Sequence, residues 1–247
     1  MIKKVIIISD VHLETGEEEH SSYSLVKKFF KAEKPDILII NGDLLDFSYI
    51  GVFNKEAELL RENKRLKADY DLANKDLDFF QKYAKKVIYL QGNHERRVDT
   101  IIEKYPNYLK DCIELESNLN LKQRNIQWIR EVDQPYKMGK LYILHGQRYS
   151  INFAKATLED MGGNTVVGHT HRIQSFSKKF WATGQEICCW GVGCLCNKNP
   201  EWQKGKPNCW MNGFAYVVFD DDGIFTMNNL HIIKDKFILN GKVWVVL

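Results

Sequence analysis

The sequence predicts an α/β layered fold, because short apolar runs alternate with segments of helical periodicity. Five runs are rich in β-branched residues and free of charged ones, as is typical of strands buried on both faces. Alternation of such strands with helices favours sheets covered by helices. The runs are residues 5–8, 37–40, 87–90, 141–144 and 165–167.

Two segments between the first three runs have helical spacing. Residues 21–31 carry Leu25, Phe29 and Phe30. We interpret the longer segment, 55–83, as a helix that packs an apolar face on the sheet, with a mobile lid as the alternative. Its apolar positions are Leu59, Leu66, Tyr70, Ala73, Leu77 and Phe80.

Length and composition limit the classes of protein to consider. A chain of 247 residues can bury one core, and it contains no linker or low-complexity stretch, so we expect a single domain over residues 1–247. The net charge of +3 argues against a general attraction to nucleic acid. The N-terminal apolar run is too short for a membrane span and lacks signal-peptide features, so we expect a cytoplasmic protein with no membrane partner.

Residues that can bind metal ions follow all five apolar runs. One such residue at a strand end is usually a turn residue, but the repeated pattern predicts a shared site. Ligands bind beyond the carboxyl ends of the strands in open α/β sheets, so we expect these side chains to meet at one edge. The candidate ligands are Asp10, His12, Asp43, Asn93, His145, His169 and His171.

Nitrogen and oxygen ligands without cysteine suit several divalent ions. We expect two ions, with Mn²⁺ preferred and Fe, Zn²⁺, Ni²⁺ or Co²⁺ as alternatives. Asp43 can bridge the two ions through its two oxygens. With only Asp10 and Asp43 as anionic ligands, the centre keeps a positive charge that attracts phosphate and lowers the pKa of a bound water.

The residues after Asn93 can act on a substrate. His94 can stabilise phosphoryl oxygens or protonate a leaving oxygen, and Glu95 can orient the ring of His94. Arg96 and Arg97 can bind a phosphate. The alternative for both arginines is a solvated first turn of the next helix.

The motifs resemble those of calcineurin-like metallophosphoesterases, and more distantly those of small phage and bacterial members. Asp-x-His, Gly-Asp, Gly-Asn-His-Glu, a His beside Gly, and Gly-His-x-His occur in the family's order between residues 10 and 171. The resemblance implies a four-layer α/β/β/α sandwich of two mixed sheets flanked by helices. Glu95 replaces the Asp of many members, and Leu144 stands where many have Gly before the histidine.

The resemblance also implies a role for each residue. Asp43 would bridge the two metals, His94 would be the catalytic histidine, and a metal-bound hydroxide would attack phosphorus. The first metal would be held by Asp10, His12 and His171, and the second by Asn93, His145 and His169.

Asp46 resembles a second carboxylate found in a subset of this family that includes UDP-sugar pyrophosphatases of the lipid A pathway. Those enzymes have Arg at the position of His94, so their substrate is disfavoured. Asp46 either supports the site or caps a helix.

The C-terminal third has the pattern of antiparallel strands. We predict strands at 185–190, 213–219, 224–233 and 237–246, with turns at 221–223 and 240–241, and we expect them to complete the second sheet. The five cysteines between 188 and 209 lack paired spacing, so we interpret them as buried reduced thiols rather than a zinc site.

The segment 197–210 combines lysines with Trp202 and Trp210. It can stack a base and hold a phosphate near the site, or it is an ordinary surface loop. We therefore predict hydrolysis of phosphate mono- or diesters, with a nucleotide or nucleic acid preferred as substrate. The alternatives are a dinuclear oxidase or peptidase, a non-catalytic metal-binding scaffold and a nucleic-acid-binding protein. The presence of His94 and of every ligand argues against them.

Overall fold

The structure, a computed structural model, describes residues 2–50, 62–130, 135–200, 203 and 205–246. The strands in chain order are β1 (Lys3–Ile8), β2 (Ile37–Asn41), β3 (Lys86–Leu90), β4 (Gln127–Ile129), β5 (Tyr136–Met138), β6 (Leu141–Leu144), β7 (Asn164–Val167), β8 (Ile173–Lys179), β9 (Glu186–Val192), β10 (Gly213–Phe219), β11 (Phe225–His231), β12 (Lys236–Leu239) and β13 (Lys242–Val245). The helices are α1 (Ser21–Glu33), α2 (Leu66–Tyr83), α3 (Arg96–Lys104), α4 (Pro106–Leu109), α5 (Leu115–Asn118) and α6 (Phe153–Met161), with a 3₁₀ turn at Ser48–Ile50.

The strands form two mixed sheets and a separate hairpin. The first sheet has the order β11-β10-β1-β2-β3-β4. Strands β1 to β4 pair in parallel, and β10 pairs antiparallel with both of its neighbours, β1 and β11. The second has the order β5-β6-β7-β9-β8, with β6, β7 and β9 parallel and antiparallel strands at both edges. Strands β12 and β13 pair with each other.

Side-chain alternation along β1 divides the core into layers. Val5 and Ile7 face the second sheet, in a buried cluster that also contains Ile143 and Val166. Ile6 and Ile8 point to the opposite face, into the cluster formed with α1 and α2. Helix α6 covers the outer face of the second sheet, in a third cluster. The protein is therefore a four-layer α/β/β/α sandwich, as predicted.

The predicted strands and helices are found near their expected positions. All five apolar runs are strands, and the helix predicted at 21–31 is α1. Helix α2 begins only at Leu66, because residues 62–63 form a turn and 64–65 are irregular. Residues 55–61 of that prediction lie outside the described residues. Tyr70, Ala73, Leu77 and Phe80 of α2 are buried in the core, which agrees with the packing interpretation.

The placement of the C-terminal strands was wrong in part. Only β9 completes the second sheet, beside β8, which the sequence pattern had not indicated. Strand β10 instead pairs with β1 in the first sheet, and β11 follows it. Such pairing depends on contacts between residues more than 200 positions apart, such as Lys3 with Phe219, so local periodicity does not specify it. Turns join β10 to β11 and β12 to β13 where predicted.

Within the described ranges, none of the helices combines the length and the apolar character that crossing a membrane requires.

Candidate dinuclear metal centre

The candidate ligands lie beyond the carboxyl ends of strands from both sheets. The ends of β1, β2 and β3 carry those numbered 10 to 93, and the ends of β6 and β7 carry those numbered 145 to 171. The expected single edge is therefore a seam between two sheets. Asn41 connects the two sheets at this seam. Its side chain donates to Leu144 O (3.0 Å), and its carbonyl lies 2.8 Å from His145 Nδ1.

Five of the seven candidate ligands have a left-handed backbone. This conformation is uncommon in residues other than glycine, and where it clusters it often marks a functional site. The backbone approach is also close, since a side chain at Gly92 would overlap the carboxylate of Asp43. The φ values are 54° for Asp10, 55° for His12, 51° for Asp43, 64° for His169 and 56° for His171.

One group of donor atoms converges around Asp10. Its Oδ2 accepts from Ser9 Oγ (2.5 Å) and from the amide of His169 (2.9 Å). Its Oδ1 is buried and makes no hydrogen bond of adequate geometry in the described part of the chain, although it lies 3.1 Å from His171 Nε2. His12 Nε2 also lies 3.1 Å from His171 Nε2. An unsatisfied carboxylate oxygen beside two imidazole nitrogens fits a cation site.

A second group converges around Asn93. Its Oδ1 lies 3.0 Å from His145 Nε2 and 2.7 Å from His169 Nδ1. Because His145 Nδ1 faces the carbonyl of Asn41, this nitrogen is the donor and Nε2 is the nitrogen that faces the centre. Such second-shell hydrogen bonds commonly orient histidine ligands of metals.

Asp43 belongs to both groups. Its Oδ2 lies 3.2 Å from His145 Nε2 and 3.9 Å from His12 Nε2. Its Oδ1 instead accepts a hydrogen bond from the amide of His94, at 2.8 Å. The sequence predicts that Asp43 bridges through both oxygens, whereas in the structure it is Oδ2 that lies near histidines of both groups.

The electrostatics of the metal-free site reflect this crowding. Burial opposes ionisation of Asp10, but His171, His12 and His145 together outweigh it and hold the pKa of Asp10 well below its usual range. Burial lowers the pKa of His145 and His171, yet Asp43 and Asp10, respectively, raise these values to about 9. Burial, together with His145, lowers the pKa of His169 to about 4. Concentrated nitrogen and oxygen donors with few counter-charges suit divalent ions.

Asp46 contacts two of the histidines. Its Oδ1 lies 3.2 Å from His12 Nδ1 and 2.7 Å from His94 Nδ1, and its carbonyl lies 2.6 Å from His94 Nδ1. Burial would raise the pKa of Asp46, but hydrogen bonds from His12 and His94 lower it overall. Asp46 thus supports the site rather than capping a helix.

Glu95 does not contact the ring of His94, contrary to the expectation. Its buried carboxylate accepts from the amides of Asp43 and Gly92, both at 2.9 Å, and from Leu45 N (3.2 Å) and Tyr89 OH (2.8 Å). Burial, then the neighbouring Asp43, raises the pKa of Glu95. Glu95 therefore fixes the backbone turns after β2 and β3, and Asp46 is the carboxylate beside His94.

Three further residues lie near the centre. Cys196 Sγ lies 3.8 Å from His171 Nδ1, and its position could complete a metal-binding group with His171 and His12. The rings of Tyr149 and Trp210 lie 4.2 Å from His169 and 4.1 Å from His171, centroid to centroid. The Lys- and Trp-containing segment pointed to Trp210; nothing local pointed to Tyr149 or Cys196.

Of the five cysteines between 188 and 209, three are buried as predicted and two are not. Cys189, Cys194 and Cys196 are buried, Cys188 is half-buried and Cys209 is exposed, and all are free thiols. Trp202 and Lys204 of the predicted substrate loop lie outside the described residues.

Comparisons with known proteins give a family match and similar solved structures. The family model described as calcineurin-like phosphoesterase matches residues 3–192. The search of curated proteins found no match. Similar solved structures include vacuolar protein sorting 29 from Cryptosporidium parvum, at 13% identity and a TM-score of 0.48, covering 98% of this chain and 94% of that one. A dimetal phosphatase from Danio rerio is also similar, at 10% identity and a TM-score of 0.41, covering 95% and 94%.

Proposed function

This chain belongs to the calcineurin-like phosphoesterase family, and from that premise we propose that it hydrolyses phosphate mono- or diesters with two divalent metal ions. The observation that carries the proposal is the pair of donor groups that share Asp43 Oδ2. Asp10, His12 and His171 would hold one ion, and Asn93, His145 and His169 the other. Two bound ions would supply Lewis acidity toward phosphoryl oxygens and would lower the pKa of a water molecule.

His94 is the residue that we assign to proton transfer. Its Nδ1 faces two acceptor oxygens of Asp46, so Nδ1 carries a hydrogen and the ring orientation is fixed. Its Nε2 points toward the centre, 3.8 Å from Asp43 Oδ2. From there, His94 would stabilise a phosphoryl oxygen or protonate the leaving oxygen once Nε2 takes up a proton in place of the hydrogen bond from Arg97.

Two aromatic side chains support a nucleotide or nucleic-acid substrate. Tyr149 is 72% exposed, and its ring lies against His169. Trp210 packs in the same manner against His171. Accessible aromatic rings beside a phosphate-binding centre can stack a base, and Trp210 is half-buried whereas Tyr149 is exposed. We further propose Mn²⁺ as the native metal and a cytoplasmic location, both from the sequence reasoning above.

The test is hydrolysis of p-nitrophenyl phosphate and bis-p-nitrophenyl phosphate by chelator-stripped protein, with and without Mn²⁺, Fe²⁺, Zn²⁺, Ni²⁺ or Co²⁺. We expect no cleavage without metal and restored cleavage with Mn²⁺. Protein that binds two ions but cleaves neither ester with any of them would overturn the proposal in favour of the scaffold. Faster hydrolysis of nucleotides than of simple alkyl phosphates would support base stacking on these aromatic side chains.

A further inference from the structure

Two adjacent arginines at the start of α3 differ in their surroundings. Arg96 is exposed, which fits a solvated first turn of the helix rather than phosphate binding, whereas the side chain of Arg97 is only 22% exposed. Arg97 Nη1 donates to the carbonyls of Asp46 (2.8 Å) and Phe47 (3.3 Å). Its Nη2 lies 3.0 Å from His94 Nε2. The guanidinium of Arg97 is therefore held in place by backbone oxygens, on the side of the site where His94 lies.

The contact with His94 places this charge at the reacting centre. Because Nδ1 of His94 is the donor toward Asp46, Nε2 of the neutral ring accepts the hydrogen bond from Arg97. These hydrogen bonds use three of the five N–H groups that a guanidinium offers, counted over the described residues. The remaining groups on the fork can contact another anion beside His94.

We propose that Arg97 recognises the extra anionic oxygen of a phosphomonoester and makes the protein prefer monoesters to diesters. The inference rests on the proposed function and specifies its substrate class. A monoester has one more non-bridging oxygen, and at neutral pH more negative charge, than a diester. A planar guanidinium pairs with such an oxygen through a charge-assisted hydrogen bond, which an esterified oxygen cannot match.

The experiment compares Arg97→Gln with Arg96→Gln, the exposed neighbour of the same type. Both variants are loaded with Mn²⁺ and assayed for kcat/KM on p-nitrophenyl phosphate and on bis-p-nitrophenyl phosphate. We expect Arg97→Gln to reduce the monoester value by about tenfold to a hundredfold, as loss of a hydrogen bond between charged groups predicts, and the diester value by much less. Arg96→Gln should change neither. Equal losses on both esters in Arg97→Gln would overturn the inference.

Binding provides a second readout that does not depend on turnover. Isothermal titration calorimetry of the Mn²⁺-loaded proteins with inorganic phosphate and with dimethyl phosphate should show weaker phosphate binding in Arg97→Gln only, with dimethyl phosphate unaffected. Unchanged phosphate affinity in that variant would overturn the inference even if the wild type hydrolyses esters. Absence of turnover in the wild type would count against the proposed function instead. Arg97→Lys keeps the charge without the fork and should bind phosphate with intermediate affinity; circular dichroism establishes that each variant folds.

Discussion

The strand ends of the two sheets bring different chemistry to the same seam. The first sheet supplies both carboxylates of the ligand set, the amide of Asn93 and the imidazoles of His12 and His94. The second sheet supplies three imidazoles and no carboxylate. In the proposed centre, the negative charge that balances two cations would come from one sheet only, and the ligand set would be complete only when both sheets are packed together. We infer that metal binding and the packing of the two sheets stabilise each other.

Asp43→Asn tests whether both proposed metal positions depend on a carboxylate from the first sheet. Because Oδ2 of Asp43 faces ligands from both sheets, we expect metal content to fall at both positions and turnover to be lost. Inductively coupled plasma mass spectrometry and the p-nitrophenyl phosphate assay measure the two effects. Asp71→Asn, on the exposed face of α2, is the matched control and should behave as the wild type. Full loading with normal turnover would remove Asp43 from the bridging role.

His94→Ala separates chemistry from metal binding on the first sheet. We expect both metals to remain, because His94 belongs to neither ligand group, and turnover to fall by roughly 10²–10⁴ through loss of proton transfer. The control is His231→Ala, an exposed histidine at the end of β11. A variant that turns over at the wild-type rate would exclude His94 from the mechanism.

Asp46→Asn should have a smaller effect than either. Asp46 contacts His12 at Nδ1, the nitrogen that faces away from the donor group, and it contacts His94. It would therefore orient these rings rather than hold a metal, and we expect turnover or metal affinity to fall by roughly 10–100-fold. Metal titrations and the pH profile of kcat locate the effect. A loss confined to thermal stability, with an unaltered pH profile, would show that Asp46 acts only in folding.

The pH dependence of metal affinity tests the second sheet. In the metal-free protein the pKa values of His145 and His171 are about 9. At neutral pH both rings are therefore imidazolium ions, and a metal must displace one proton from each. Affinity should therefore rise with pH up to about 9, by about tenfold per pH unit for each proton displaced. Calorimetry in buffers of different ionisation enthalpy counts the protons. If metal binding at pH 7 released no protons, the assignment of His145 and His171 as ligands would be contradicted.

The sequence predicted the strands of the five apolar runs well because their signal is local. A buried parallel strand has a recognisable run of residues, and the ligand follows it directly. It could not predict the partners of Glu95, since an adjacent carboxylate and histidine on one turn need not face each other. Nor could it place β10 beside β1, or Cys196 beside His171, because those contacts join distant parts of the chain.

The left-handed backbone at Asp10, His12, Asp43, His169 and His171 has a consequence for the evolution of this protein. Each such residue costs on the order of 1 kcal/mol relative to glycine in the same conformation. The scaffold is therefore less stable than its topology permits, and selection for metal binding opposes selection for stability at these positions. A lineage without the proposed metal centre would gain thermal stability by accepting glycine there, and the same substitutions would remove the proposed ligands.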